Sequence, residues 1–222
     1  MDALDRLAGP ATELLGRVDD LLTGSGAPPE HRIWPLVRRT GTLPGAALAA
    51  VAALRPGPPG EAADVVRRPV RAYESAAAAL TGPVDWTGPA AEAFAVRRSA
   101  LAARVSGGAD SLAGRLHQTA DFAAALAHWA ARARDRLART LAEVLGSAEA
   151  VTVVTGGFSD PGGAAARAGA EIGARILAAV VEVQSDGDEL LRRYDAVPAE
   201  SPPFAPDAAT AYRWDSTTRV RR

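Results

Sequence analysis

Apolar residues recur every three or four positions along most of the chain, the spacing typical of amphipathic helices. The first predicted helix covers residues 2–23, and Pro10 predicts either a kink in it or a later start. Segment 31–39 combines four apolar side chains with arginines. We interpret it as an apolar plug packed on a bundle, in preference to an anion site. A short Ala-rich helix is predicted over 43–54.

Proline and glycine divide the chain into segments. Residues 1–55 form an N-terminal helical segment, and the run Arg55-Pro-Gly-Pro-Pro-Gly60 predicts a linker at 56–60. Residues 61–195 are expected to hold a helical hairpin and a C-terminal helix that together form a bundle. The four prolines after Val197 predict a disordered tail over 196–222.

Two helical patterns make up the predicted hairpin. The first carries an apolar face over 61–80, with Pro69 marking its start or a bend. The second runs from Pro89 towards Gly146, and Gly107-Gly108 predicts a break in it because two glycines cost about 2 kcal/mol relative to alanine in a helix. A last amphipathic helix is predicted over 164–194.

Residues 151–155 are β-branched and have no evident partner strand, so we interpret them as an extended connection or as the end of the preceding helix. The predicted fold class is therefore all-α: an elongated helical hairpin around a Trp-x-Gly turn, packed with extra N- and C-terminal helices as a bundle. The glycine-rich stretch 156–163 lacks the Gly-Lys-Ser/Thr ending of a phosphate-binding loop.

The turn of the hairpin contains the residues that we single out as candidates for function. Trp86 is expected to plug the corner between the two helices. Gly88 suits backbone angles that a side chain opposes, and Pro89 suits the first turn of a helix. Phe94 opens the apolar stripe of the second helix. These four residues form the candidate partner-binding and turn motif.

Trp86-x-Gly88 followed by Ala90-Ala-x-Ala-Phe94, between two amphipathic helices, resembles the WXG superfamily of helical-hairpin proteins linked to type VII secretion. The resemblance covers residues 61–147, about forty per cent of the chain. It implies pairing with another helical protein or with itself, as a homo- or heterodimer with coiled-coil-like packing, and contact with the secretion machinery. Trp86 and Gly88 would correspond to the family's motif, and Phe94 to its aromatic position.

Two departures separate this chain from that family. The chain is about twice as long as the small members, so its own extra helices are able to cover the hairpin. The export signal of the family is a tyrosine followed four residues later by Asp or Glu. Tyr73, Tyr194 and Tyr212 are instead followed at that spacing by alanine, proline and serine. The chain would therefore be exported with a partner that carries the signal, or it would stay inside the cell as an accessory or chaperone-like protein.

The composition further limits the classes of function that fit this chain. The net charge of −1 argues against nucleic-acid binding, which requires a basic surface. Without cysteine there are no disulfides and no thiolate chemistry. The chain has neither lysine nor asparagine and is rich in Ala, Gly, Pro and Arg, a bias typical of GC-rich genomes such as those of actinobacteria. We expect a protein without stable membrane insertion, located in the cytoplasm or secreted without a cleavable signal peptide.

The polar residues show no catalytic pattern, and we predict no enzyme, cofactor or metal site. His117 and His128 lie eleven residues apart on one helix, about 16 Å, which is too far to bind one ion. The basic run from Arg132 to Arg139 lies opposite the apolar stripe and is expected to pair with acidic groups. The leading hypothesis is a non-enzymatic helical interaction protein resembling type VII secretion substrates or their partners. The alternative is an intracellular scaffold or chaperone-like bundle unrelated to secretion.

Overall fold

A computed structural model describes residues 1–156 and 163–195, and this part of the chain is helical with no strand. The helices in chain order are α1 (Ala3–Gly24), α2 (Ile33–Thr40), α3 (Pro44–Ala53), α4 (Gly57–Arg67), α5 (Val70–Thr81), α6 (Pro89–Ser106), α7 (Leu112–Leu145), α8 (Ala148–Thr155) and α9 (Ala164–Tyr194). The prediction of an all-α bundle is confirmed.

The hydrophobic core lies between α1, the C-terminal half of α7 and α9, with α2, α3 and α8 closing its sides. Its largest fully buried side chains come from these helices: Leu4, Leu15, Val18, Ile33, Pro44, Leu137, Leu141, Val144, Ile172, Ile176 and Leu177. Ile33 is the buried residue of α2, which confirms segment 31–39 as an apolar plug.

Polar side chains fix where several helices begin. The Asp2 carboxylate accepts a hydrogen bond from the Asp5 backbone N–H, and the Asp5 side chain accepts one from Asp2 in return, so α1 begins well before Pro10. Ser111 and Ser147 cap α7 and α8 by accepting hydrogen bonds from the backbone N–H groups of Gly114 and Ala150. Asp19 of α1 accepts a hydrogen bond from the Gly45 N–H, which ties the start of α3 to α1.

Arg134 of α7 is buried, with only 3% of its surface exposed. Its guanidinium donates to the carboxylates of Asp2 and Asp5 at 2.5 and 2.6 Å. It also donates to the backbone carbonyls of Ala52 and Leu54 at 2.6 and 3.1 Å. The expectation that Arg134 lies on a basic face opposite the apolar stripe is therefore wrong. Arg134 is buried where α1, α3 and α7 meet, because acceptors from α1 and α3 bind its guanidinium there.

A second ionic cluster joins α9 to α2 and α8. Glu171 of α9 pairs with Arg32 and, at 3.2 Å, with Arg175, which in turn reaches Glu149 at 3.1 Å. Burial raises the pKa of Glu171, but the hydrogen bonds and charges of Arg32 and Arg175 outweigh it and lower that pKa overall. The arginine at the start of the plug therefore has a structural partner.

Glycine permits the closest approach of α9 to its neighbours. A Cβ at Gly173 would lie 2.7 Å from Cδ1 of Ile33 and 3.0 Å from Cγ of Pro44. Near the other end of α9, a Cβ at Gly187 would lie 3.1 Å from the Trp129 ring. The indole N–H of Trp129 donates to the carbonyl of Val183 at 3.0 Å, so its polar atom is satisfied inside the contact.

The structure corrects two of the predicted connections and confirms a third. The predicted linker at 56–60 is mostly helical, because α4 begins at Gly57 and places Pro58 and Pro59 in its first turn, where proline is tolerated. Residues 151–155 belong to a separate helix, α8, so the extended connection is wrong. The break at Gly107-Gly108 is confirmed, since α6 ends at Ser106 and Gly108 has a φ of +145°. The predicted tail at 196–222 lies outside the described residues.

Candidate functional site

Helices α5 and α6 form a hairpin that packs mainly on itself. Arg98 of α6 donates to the carbonyls of Ala79 and Gly82 at 3.3 and 2.9 Å, so it holds the end of α5 beside α6. Ala77 and Ala102 are buried at the contact between the two helices. Small side chains thus bring the two helices together without a large apolar core between them.

The base of the hairpin rests on the N-terminal half of α7. Helix α4 runs along α7, with Gly60 close to Ala127 and Arg67 bonded to Asp121. Helix α5 begins three residues after Arg67, and both α5 and α6 then make smaller contacts with α7. The hairpin is therefore attached to the bundle at one end of α7, away from the main core.

Helix α6 has 18 residues, and Ala102 is the one that is buried. Phe94 and Leu101 are 46% and 44% exposed and lie two turns apart, hence on the same face. Val96 is 70% exposed. An amphipathic helix usually buries its apolar residues against a partner. Helix α6 therefore presents apolar residues that nothing in the described part of the chain covers.

The hairpin also concentrates such residues. Ten large hydrophobic side chains are exposed among the described residues. Five of them belong to the α5–α6 hairpin: Val84, Trp86, Phe94, Val96 and Leu101. Isolated exposed apolar residues are ordinary, but a contiguous group indicates an interaction site, and Val84, Trp86 and Phe94 line one cavity.

The turn residues lie at the tip of this hairpin. Gly88 has a φ of +106° and precedes α6, and Pro89 is the first residue of that helix, as predicted. Trp86 is 49% exposed, so the expectation of a buried corner plug is wrong. The connection is too short to bring a covering element over the ring. Instead Trp86 leans on Phe94, with ring centroids 5.7 Å apart and the planes tilted by 56°.

A small cavity of about 160 Å³ opens beside these rings. Leu80, Val84, Trp86 and Phe94 supply apolar walls, and Thr81, Arg98 and Ser99 supply polar ones. The Arg98 guanidinium lies 5.6 Å from the centre of the Phe94 ring, within the range of a cation–π contact. The cavity therefore has both apolar and polar walls at the tip of the hairpin.

A second apolar groove, which the sequence did not reveal, lies between α1 and α8. Its volume is about 390 Å³, and Pro10, Leu14, Val151 and Val154 contribute to its walls. Arg17 at its rim donates to the carbonyl of Val154 at 3.3 Å. In the sequence, the β-branched residues of 151–155 are the sign of this groove. Whether they are exposed depends on how α8 packs, which the sequence alone does not show.

The polar clusters of the described residues have structural partners. His31 lies 3.8 Å from Glu171 and accepts a hydrogen bond from the Ile33 N–H. Burial raises the pKa of Asp19, whose carboxylate caps α3 through Gly45. Residues 1–156 and 163–195 contain no group of three or more His, Asp or Glu side chains placed to hold a metal ion.

Comparison of the chain with protein-family models, with curated proteins and with solved structures gives no match. Within the described residues, none of the helices combines the length and the apolar character needed to cross a membrane. The feature that points to a function is therefore the set of exposed apolar residues on the α5–α6 hairpin.

Proposed function

We propose that this chain is a non-enzymatic interaction protein that docks another helical chain on the α5–α6 hairpin. The observation that carries the proposal is α6 itself, an 18-residue helix with one buried residue. Helical partners commonly insert apolar residues spaced three, four or seven apart into such a surface. Phe94 and Leu101 offer that spacing, and the cavity beside Trp86 offers a pocket at the tip.

We further propose that the partner belongs to a type VII secretion system, either as a co-exported substrate or as an accessory protein. The sequence resemblance at Trp86, Gly88 and Phe94 supports this, together with the position of these residues at the start of α6. Since no tyrosine of the chain is followed by the expected acidic residue, export would require the partner's signal. Trp86 and Phe94 would then complete the recognition surface.

A scaffold unrelated to secretion is the second candidate, and the groove between α1 and α8 favours it. Val151 and Val154 are 62% and 52% exposed there. The groove and the hairpin are built by different helices, so one chain has the surfaces to hold two partners at once.

Site-specific photo-crosslinking in the native host tests where partners bind. A benzoylphenylalanine replaces Leu101 in one variant and Val151 in the other, because both side chains are exposed and belong to different surfaces. Crosslinks at 101 alone support docking on the hairpin. Crosslinks at both positions support the scaffold, and an absence of crosslinks at 101 overturns the proposal.

Secretion is tested separately by immunoblotting culture filtrate and cell pellet with and without the type VII motor ATPase. Appearance in the filtrate only with the ATPase supports the secretion reading. Retention in the pellet under both conditions removes that reading and leaves an intracellular interaction protein.

A further inference from the structure

We propose that the segment 204–214 of this same chain occupies the exposed face of α6 when no partner is bound. The proposal rests on the proposed function, because it takes that face to be a docking site. In this arrangement the segment 204–214 and an external partner compete for the same face of α6.

The place where the described chain ends favours this occupant. The ring of Tyr194, the last residue of α9, lies 5.2 Å from the ring of Phe122. The neighbouring Asp121 is bonded to Arg67, and α5 begins at Val70. The described chain therefore ends beside the base of the hairpin.

Reach separates the two apolar surfaces for Phe204, the first aromatic residue of the segment. Helix α6 has 18 residues and spans about 27 Å. Phe204 follows Tyr194 by ten residues, which extend to about 36 Å at most. The groove at α8 lies near the opposite end of α9, and the 31 residues of α9 span about 45 Å. Phe204 therefore reaches α6 and falls short of the α8 groove, whereas Tyr212 and Trp214 lie far enough along the chain to reach either surface.

The chemistry of the segment matches the face. Phe204, Tyr212 and Trp214 supply aromatic groups for the surface around Phe94 and Leu101. Arg97 lies on the same side of α6, three residues after Phe94 and four before Leu101, and is exposed. Asp207, three residues after Phe204, supplies the opposite charge.

A spin label tests this contact in the full-length chain. The chain has no cysteine, so Ser216→Cys provides a single attachment site for a nitroxide just beyond the segment. The expected result is a loss of amide signal intensity in α6, greatest around residues 94–101, with the signals of α8 retained. The additional substitutions Phe204→Ala and Trp214→Ala should restore the α6 signals, and exposed Arg132→Ala serves as a control that leaves the loss unchanged.

A mixed sample distinguishes contact within one chain from contact between chains. Isotope-labelled chain without nitroxide is combined with unlabelled chain that carries it. Signal loss in α6 in this mixture as strong as in the singly labelled sample would overturn the proposal in favour of a second copy. Unchanged α6 signals in the full-length labelled chain, or a loss centred on α8, would also overturn it.

The crosslinking experiment separates this inference from the proposed function. If position 101 captures a partner while the spin label leaves α6 unaffected, docking stands and the internal occupant is wrong. If the internal contact is present and no partner is captured, the proposed function is wrong. If both hold, Phe204→Ala with Trp214→Ala should increase the crosslinking yield at 101.

Discussion

Arg134 shows how a single charge joins three helices. Its guanidinium binds the carboxylates of Asp2 and Asp5 and two carbonyls at the end of α3, and removing it leaves the two carboxylates without their cationic partner. We expect Arg134→Ala to lower the free energy of unfolding by about 3 kcal/mol. Urea unfolding of the variant and of the wild type measures this difference.

Substitution of a neighbouring arginine controls for loss of charge alone. Arg132 lies on the same helix and is exposed, so Arg132→Ala should change stability by no more than about 0.5 kcal/mol. Arg134→Lys keeps the charge but loses the planar set of donors, and it should remain clearly destabilised. Equal effects of the two alanine variants would contradict the role assigned to Arg134.

Gly173 tests the close packing of α9. A Cβ there meets Ile33, which is fully buried, and the rigid ring of Pro44, so neither neighbour is free to move away. We expect Gly173→Ala to destabilise the protein by about 1–3 kcal/mol, read from the thermal or urea midpoint. Gly16→Ala in α1 has nothing within 4 Å of its Cβ and should stabilise by about 0.5–1 kcal/mol.

At the scale of elements, the hairpin and the bundle differ in how much they bury. Helix α6 has one buried residue, whereas α9 contributes thirteen. Local opening costs little where few apolar contacts are lost. We expect backbone amides of α5 and α6 to exchange with deuterium faster than those of α9 by orders of magnitude. Similar protection in the two elements would contradict the conclusion that few apolar contacts stabilise the hairpin.

This difference in burial also explains which helices the sequence predicts accurately. The three-to-four periodicity of α1 and α9 is enough to place them within one or two residues, because their apolar faces meet a core. The start of α4 is missed since Pro58 and Pro59 signal a linker locally and become tolerable only in a first helical turn. Residues of α8 favour a strand intrinsically, and their packing against α9 decides for a helix.

The burial of an individual side chain is harder to predict from sequence than the position of a helix. Arg134 belongs to an arginine-rich run, and only the approach of Asp2 and Asp5 from a distant part of the chain makes its burial favourable. Trp86 has the size and hydrophobicity of a core residue and is nevertheless half exposed. Its partner Phe94 was identified from sequence, but the anchoring role of Arg98 was not, since it depends on carbonyls at the end of another helix.

At the scale of the whole molecule, the ionic clusters predict how stability changes with pH. Hydrogen bonds from Arg134 lower the pKa of Asp2 well below its usual range. The pKa of Asp5 is lowered by the Asp2 backbone N–H and then by Arg134, and that of Glu171 by its two arginines despite burial. A carboxyl whose pKa is depressed on folding stabilises the protein above its unfolded value near 4 and loses that contribution as the pH falls through the folded value.

We therefore expect the urea midpoint to stay nearly constant from pH 7 to about 5 and to fall steadily below about pH 4. Asp19 acts in the opposite direction, because burial raises its pKa and its protonation therefore favours the folded state. Unfolding curves at several pH values measure the sum. Asp2→Asn should reduce the acid-dependent part, and a midpoint that falls as steeply in that variant would contradict the assignment.

The contacts that hold α1 and α2 also set the order in which the protein is able to fold. Asp2 and Arg134 are 132 residues apart, Arg32 and Glu171 are 139 apart, and Arg17 and Val154 are 137 apart. Contacts between distant residues form slowly, because a long loop must close before they are gained. On the ribosome, α3 covers the apolar face of α1 only in part until α7 and α9 have been made, so α1 exposes apolar surface through most of the synthesis of the chain.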